Sequence, residues 1–202
     1  MPIRVEWDLP AGWVATEPAH PVPERFNTGE LANLGYHGTV LFPVVVTPPA
    51  DFQDAVSLRA RISWLACDEA SCVTGDAEIT LKLEAGKPEP TTDAELIKAA
   101  FAKIPRPRND LLKLRVTEQP SSLQVSIQPD AGHSFDMVNR EVFPATPDVI
   151  DPAVEIQFAE HGGVWTAELP KSEYAATPVR QLTLVISAGG GSGPVELTWK
   201  AP

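Results

Sequence analysis

The stretch that decides the fold of the first half is Trp64-Leu65-Ala66-Cys67-Asp68-Glu69-Ala70-Ser71-Cys72-Val73-Thr74-Gly75. It holds the only two cysteines among 202 residues, and four residues separate them. Apolar residues alternate with polar ones before this stretch, from Val56 to Trp64, and after it, from Ala77 to Leu83. A period of two is typical of a β-strand with one buried face. The pattern therefore predicts a hairpin with both cysteines next to the turn that connects its two strands.

The composition is that of a folded protein rich in short strands. Hydrophobic residues make up 43% of the chain and charged residues 21%, which is enough apolar side chain for a core. The 21 prolines interrupt helices and central strands, so they favour short strands joined by turns. A net charge of −11 without a basic stripe argues against a nucleic-acid partner. No apolar run reaches membrane-spanning length, and no signal peptide is recognisable. We therefore expect a cytosolic protein or a piece of a longer secreted or membrane-attached chain.

The strand patterns divide the chain into two β-rich halves. The first half predicts strands over 1–9, 39–47 and 56–64, with a long irregular segment over 14–38. The second half repeats short alternating runs separated by Gly- and Pro-containing turns, which is typical of a β-sandwich. We predict an all-β protein with two β-sandwich domains.

A linker and one short helix are expected between these halves. The domain bounds are predicted at 1–87 and 106–202, with the linker and helix over 88–105. Thr92-Asp93-Ala94-Glu95 fits a capping box at the start of the helix. An apolar stripe follows at helical spacing, formed by Leu96, Ile97, Ala100 and Phe101, and it predicts a packing strut between the domains.

The two cysteines are the residues with the clearest chemistry. The four histidines lie in predicted loops with no partner at metal-ligand spacing, and the glycine-rich run over 189–193 opens no helix that could hold a phosphate. We therefore expect no cofactor and no metal site. A disulfide between Cys67 and Cys72 would close a short ring, whose loop-closure stabilisation is only about 2 kcal/mol. The pair can be a redox centre, a structural disulfide, or two thiols that are free or bind a metal.

Two acidic residues follow the first cysteine directly. Carboxylates beside a thiol disfavour the thiolate and raise the thiol pKa, so Asp68 and Glu69 would make the pair a slow nucleophile until a partner docks. The alternative is that both acids simply solvate a turn.

Several stretches resemble the periplasmic N-terminal region of the protein-disulfide reductases of the DsbD and ScsB type. The stretches are Val5-Glu6-Trp7-Asp8-Leu9-Pro10-Ala11-Gly12-Trp13, Pro23-Glu24-Arg25-Phe26, Leu34-Gly35-Tyr36-His37-Gly38, Val40-Leu41-Phe42-Pro43, and the Trp-Leu-x-Cys…Cys-x-x-Gly pattern over 64–75. The β-rich part with Val142-Phe143-Pro144 resembles the second sandwich that many long members carry.

This resemblance implies immunoglobulin-like domains and a thiol–disulfide exchange function. Cys67 and Cys72 would cycle between dithiol and disulfide, with the later cysteine as the exposed attacker and with Trp64 and Tyr36 as nearby modulating aromatics. The alternative for Trp64, which lies in an alternating strand pattern, is a place in the core. Electrons would come from the protein's own transmembrane reductase domain and pass to periplasmic thioredoxin-like or disulfide-containing proteins, a chemistry that also serves cytochrome c biogenesis. The chain would then be periplasmic, a fragment of an inner-membrane protein. The strands that usually precede the Val-Glu-Trp stretch are missing, so an incomplete first sandwich is expected.

Two other functions fit the same residues. A binding or adaptor protein would use the cysteine pair as a structural disulfide, and a copper-handling module would use soft thiolates to bind Cu(I).

Overall fold

The computed structural model describes residues 3–28, 31–68, 70–87 and 89–202. The chain divides into two compact units that are interleaved in sequence. Unit 1 contains 1–20, 27–31 and 38–101, and unit 2 contains 21–26, 32–37 and 102–202. Two short segments from the first half of the sequence thus belong to unit 2. The domain bounds 1–87, 88–105 and 106–202, which are continuous in sequence, stay a prediction.

The described residues of the first half form seven strands, most of them short, and the last two are the longest. They are β1 (Arg4–Asp8), β2 (Val14–Ala15), β3 (Glu24–Thr28), β4 (Leu31–Gly35), β5 (Val46–Thr47), β6 (Val56–Cys67) and β7 (Cys72–Leu83). Strands β1, β6 and β7 form an antiparallel sheet in that order, while β2 pairs with β5 and β3 with β4.

The β6–β7 hairpin confirms the expectation from the alternating pattern. Each strand has 12 residues, and the register runs without a bulge from Val56 opposite Leu83 to Cys67 opposite Cys72. Leu58 and Ala60 are the buried side chains of β6, at 1% and 3% exposure. The matching side of β7 is more open, because Val73, Ile79 and Leu81 are exposed. β7 ends its sheet as an edge strand.

Two expectations for the region before β6 were wrong. The segment over 14–38 is not irregular, because it contains β2, β3 and β4. The segment over 39–47 is not a buried strand, because only Val46–Thr47 pairs in a ladder and Leu41 and Val45 are exposed. Pro43 has no N–H for a ladder, and its carbonyl instead accepts a hydrogen bond from Ala19 N–H.

The predicted helix is present as α1 (Ala94–Ala102). Ile97 N–H donates to the Asp93 carbonyl, which places Asp93, and not Thr92, at the N-cap. Ala100 is the buried residue of the predicted apolar stripe, while Leu96, Ile97 and Phe101 are exposed. The role of this stripe as a packing strut between the domains stays a prediction.

Unit 2 is a β-sandwich. Its remaining strands are β8 (Arg106–Pro107), β9 (Leu112–Glu118), β10 (Ser122–Pro129), β11 (Val142–Pro144), β12 (Ala159–His161), β13 (Val164–Pro170), β14 (Gln181–Ile186) and β15 (Val195–Lys200). One sheet has the order β12-β13-β10-β9 and the other β11-β14-β15-β8. Fully buried side chains of both sheets, including Leu123 and Ile127 of β10 and Leu184 of β14, belong to one core cluster. The all-β fold class is confirmed.

Most strands of this sandwich match the alternating runs of the sequence. The exception is 154–158, which has no ladder partner, and the neighbouring strand begins only at Ala159. Val154 and Phe158 still pack against the core, and Ile156 is buried. The alternating pattern over 154–158 therefore reflects burial of every second side chain, although this segment does not pair in a sheet.

Arg25 holds the segment 21–26 within unit 2. Its Nη2 donates to the carbonyls of Val142 at 2.9 Å and Val154 at 3.0 Å, and its Nε donates to the Pro152 carbonyl at 3.4 Å. The guanidinium carbon also lies 4.5 Å from the centre of the Phe143 ring. A planar guanidinium suits this combination of several carbonyls and one aromatic face.

Candidate functional site

Cys67 and Cys72 are joined by a disulfide at the end of the β6–β7 hairpin. Their S–S distance is 2.06 Å and their Cα atoms are 4.0 Å apart. Asp68 N–H donates to the Ser71 carbonyl just beyond them, so the cysteines occupy a non-hydrogen-bonded position, where the side chains of an antiparallel pair approach most closely. The hairpin register alone brings the two sulfurs together.

The two cysteines differ in their access to solvent. Cys72 begins the edge strand β7 and is exposed, whereas Cys67 ends the inner strand β6 and is half-buried. The residue pattern alone did not rank the two cysteines by exposure, and the expectation that the later one is exposed came from the resemblance. An incoming sulfur therefore meets less obstruction at the later cysteine.

Asp68 organises the turn that joins the cysteines. Its Oδ1 accepts hydrogen bonds from Ala70 N–H at 2.8 Å, from Ser71 N–H at 2.7 Å and from the Ser71 hydroxyl at 3.3 Å. These donors, with the Ala70 N–H first, lower the pKa of the Asp68 carboxyl. The Asp68 carboxylate therefore fixes the turn by hydrogen bonds in addition to being solvated. The sequence did not reveal these hydrogen bonds.

Trp64 and Gly75 are cross-strand partners three residues inside the disulfide. A methyl group built on Gly75 would lie 2.6 Å from Cε2 and 2.7 Å from Nε1 of Trp64. The indole therefore covers the Gly75 backbone, and a side chain at position 75 would displace it. In this chain, the contact favours a glycine at position 75.

Tyr36 and Glu69 are the other two predicted modulating residues. Tyr36 belongs to unit 2, whereas Trp64, Cys67, Asp68 and Cys72 belong to unit 1. The Tyr36 hydroxyl donates to the Pro21 carbonyl at 2.8 Å, and burial raises the pKa of Tyr36 to about 12. Glu69 lies outside the described residues. The modulating roles of all four residues, Asp68, Glu69, Trp64 and Tyr36, stay predictions.

Charged side chains lie further along the same hairpin. Arg61 forms an ion pair with Asp76 at 3.3 Å further along the hairpin, and both side chains are exposed. Within the described ranges, no three His, Cys, Asp or Glu side chains come together in an arrangement that could hold a metal ion. No helix in the part of the chain that the structure describes is long and apolar enough to cross a bilayer, and α1 has only nine residues.

Residues 2–84 match the family model described as thiol:disulfide interchange protein DsbD, N-terminal. The matched range includes both cysteines, the turn between them, and all seven strands of the first half. The resemblance inferred from the sequence is therefore confirmed for this range.

A solved structure shares the fold of nearly the whole chain. It is the crystal structure of the N-terminal periplasmic domain of ScsB from Proteus mirabilis, with a TM-score of 0.66 and 18% sequence identity. The match covers 99% of this chain and 77% of that one. A comparison with curated proteins found no match. The immunoglobulin-like β architecture is thus confirmed over both units.

Proposed function

We propose that residues 2–84, a DsbD N-terminal-type domain, exchange the Cys67–Cys72 disulfide with disulfides and thiols of periplasmic proteins. The observation that carries this proposal is the position of the disulfide. It joins the chain's only two cysteines at the exposed end of a hairpin, inside the range that matches the family. A short ring on one hairpin adds little to the stability of the fold, so its position suits exchange better than it suits bracing.

The exchange proceeds in two balanced steps. In the dithiol form, the Cys72 thiolate attacks one sulfur of a partner disulfide, and the partner's other sulfur leaves as a thiolate. Cys67, as a thiolate, then attacks the Cys72 sulfur of this mixed disulfide and releases the partner's second sulfur. Two electrons have passed to the partner, and the two protons lost by the cysteines balance the two new partner thiols.

Cys72 is proposed as the attacking residue because it is the exposed member of the pair. Cys67 lies directly opposite on β6, where it can resolve the mixed disulfide without movement of the strands. The chain returns to the dithiol when two thiols of a membrane reductase domain reduce it. A relay from that domain to thioredoxin-like partners in the periplasm is the cellular role that we propose, and cytochrome c biogenesis is one process that it would serve.

The test is to trap the mixed disulfide with a thioredoxin-like protein that carries an active-site disulfide. Cys67→Ser should accumulate a covalent complex through Cys72, because the resolving thiol is missing. Cys72→Ser should form much less of the complex, since Cys67 is half-buried. Both variants should keep the wild-type circular dichroism spectrum.

The reduction potential of the wild-type pair separates this function from a structural disulfide. A potential below about −300 mV would mark an inert bridge, and so would loss of the fold in either serine variant. A titration with Cu(I) that protects both thiols from alkylation would instead favour a copper-handling function.

A further inference from the structure

Among the described residues of the turn that joins the cysteines, Asp68 takes part in four hydrogen bonds. Its carboxylate Oδ1 accepts from Ala70 N–H, Ser71 N–H and the Ser71 hydroxyl, and its own N–H donates to the Ser71 carbonyl at 2.9 Å. Three of the four depend on the side chain of Asp68. The side chain itself is exposed, so it has no role in the packing of the core.

The hydrogen bonds of the closed turn stabilise the two redox states to different extents. In the disulfide form, the covalent bond between Cys67 and Cys72 keeps the turn closed. In the dithiol form, no covalent bond closes the turn; the β6–β7 ladder and the bonds to Asp68 favour the closed arrangement, and the turn also samples open ones. Bonds that form only in the closed turn therefore stabilise the disulfide form fully and the dithiol form in part.

We propose that Asp68 is a positioning residue that lowers the reduction potential of the Cys67–Cys72 pair by holding the turn closed. This inference rests on the proposed exchange function and adds a structural feature that sets the reduction potential of the cysteine pair. A closed turn keeps the two sulfurs adjacent, so ring closure during attack by Cys67 costs less entropy. The pair thereby becomes a stronger electron donor to partner disulfides.

The hydrogen bonds of Asp68 can be separated from its charge. Asp68→Ala removes the acceptor and the charge together. Asp68→Asn removes the charge but keeps an Oδ1 acceptor for the N–H groups of Ala70 and Ser71. If the turn sets the potential, the asparagine variant should behave like wild type and the alanine variant should not.

The experiment measures the reduction potential of each 202-residue chain after equilibration in glutathione buffers. An alkylating reagent then traps the free thiols, and mass spectrometry gives the fractions of dithiol and disulfide. For Asp68→Ala, we expect the equilibrium constant to shift 3–10-fold toward the dithiol. This shift corresponds to a potential about 15–30 mV less negative, since a tenfold change in the constant is about 30 mV. Asp68→Asn should stay within about twofold of wild type, because it keeps the acceptor.

Two further variants complete the comparison. Ser71→Ala removes only the 3.3 Å hydroxyl bond, so it should shift the constant in the same direction by less than Asp68→Ala. Asp76→Ala removes an exposed carboxylate from the same hairpin and should change nothing, because Asp76 pairs with Arg61 and not with the turn. The alkylation rate of the reduced pair is a second readout. It should rise in Asp68→Asn, because loss of a negative charge favours a neighbouring thiolate.

The outcomes distinguish this inference from the function on which it rests. A wild-type potential unchanged by Asp68→Ala would overturn the role of Asp68 and leave the exchange function standing. Equal shifts in Asp68→Ala and Asp68→Asn would assign the effect to charge and overturn the role of the turn. A wild-type disulfide that glutathione and stronger dithiols leave intact in the folded chain would overturn the exchange function, and the inference with it.

Discussion

Trp64 lies against the backbone of Gly75, its partner across the β6–β7 ladder, at a distance that leaves no room for a side chain. A Cβ atom at position 75 would lie 2.6 Å from the indole, closer than nonbonded carbon atoms approach. The aromatic ring thus replaces the packing that glycine lacks, and it stiffens the hairpin next to the disulfide.

Gly75→Ala should destabilise unit 1 by about 1–3 kcal/mol, the usual cost of forcing extra volume into a packed site. Urea unfolding followed by tryptophan fluorescence measures the effect. Gly86→Ala is the matched control, because a Cβ there meets nothing within 4 Å. In the double variant with Trp64→Ala, the cost of Gly75→Ala should largely disappear. Additive costs would show that the ring and the glycine are independent.

Arg25→Ala should destabilise unit 2 by about 1–3 kcal/mol, because it leaves carbonyls that had a charged donor without one. Amide exchange of 21–26 should become faster, since the guanidinium holds this segment against Val142 and Val154. Arg25→Lys should recover only part of the loss, because an ammonium lacks the planar fork. Arg115→Ala, at an exposed position of β9, is the control. Unchanged exchange over 21–26 would remove Arg25 from this role.

In the dithiol form, protonation of Asp68 at acid pH should weaken the hydrogen bonds of the turn, because a neutral carboxyl is a weaker acceptor than a carboxylate. The folded-state pKa of this carboxyl lies below its ordinary value of 3.8, chiefly because Ala70 N–H donates to it. A depressed pKa means that the stabilisation is fully present above pH 3.8 and is lost as the pH falls through the folded-state pKa. The amide signals of Ala70 and Ser71 in NMR spectra should follow this titration. Their movement should vanish in Asp68→Asn, and persistence there would assign it to another group.

Arg140→Ala should loosen the loop between β14 and β15. The buried guanidinium donates to the carbonyls of Ser187 and Gly189 and to the Ser192 hydroxyl, and it lies 4.7 Å from the Phe135 ring centre. Amide exchange over 187–193 should become faster, with a loss of about 2–3 kcal/mol from unit 2 for breaking bonds to a charged group. Arg115→Ala again serves as the control. Equal exchange rates in both variants would contradict this prediction.

The sequence predicted the strands that bury one regular face. The alternation from Val56 to Trp64 and from Ala77 to Leu83 was enough to identify β6 and β7, because period-two burial is a local property. The structure pairs the two cysteines in this register, whereas the sequence left a disulfide and free thiols as alternatives. The exposure of Cys72 did not, since it depends on β7 being an edge strand of its sheet.

The segments that sequence patterns misjudged depend on distant partners. Phe26 lies 2.6 Å from where a Cβ of Gly35 would be, a contact across β3 and β4 that leaves no periodic signal. Glu24 and Arg25 likewise have partners at His37 and Val142. In the opposite direction, the valines over 44–46 have strong strand propensity, but the prolines around them leave few N–H groups for a ladder.

The position of Arg25 bears on how such a chain could be assembled from parts. A recombination event or an engineered fusion that joins two coding segments near residue 100 would separate Arg25 from the three carbonyls that receive it. The first half would then need other carbonyls to accept from Arg25, and the second half would need another donor for its three carbonyls. The coding segments for the sandwich of unit 2 and for the cysteine hairpin of unit 1 should consequently be inherited together. Evolution should rarely exchange one of them without the other.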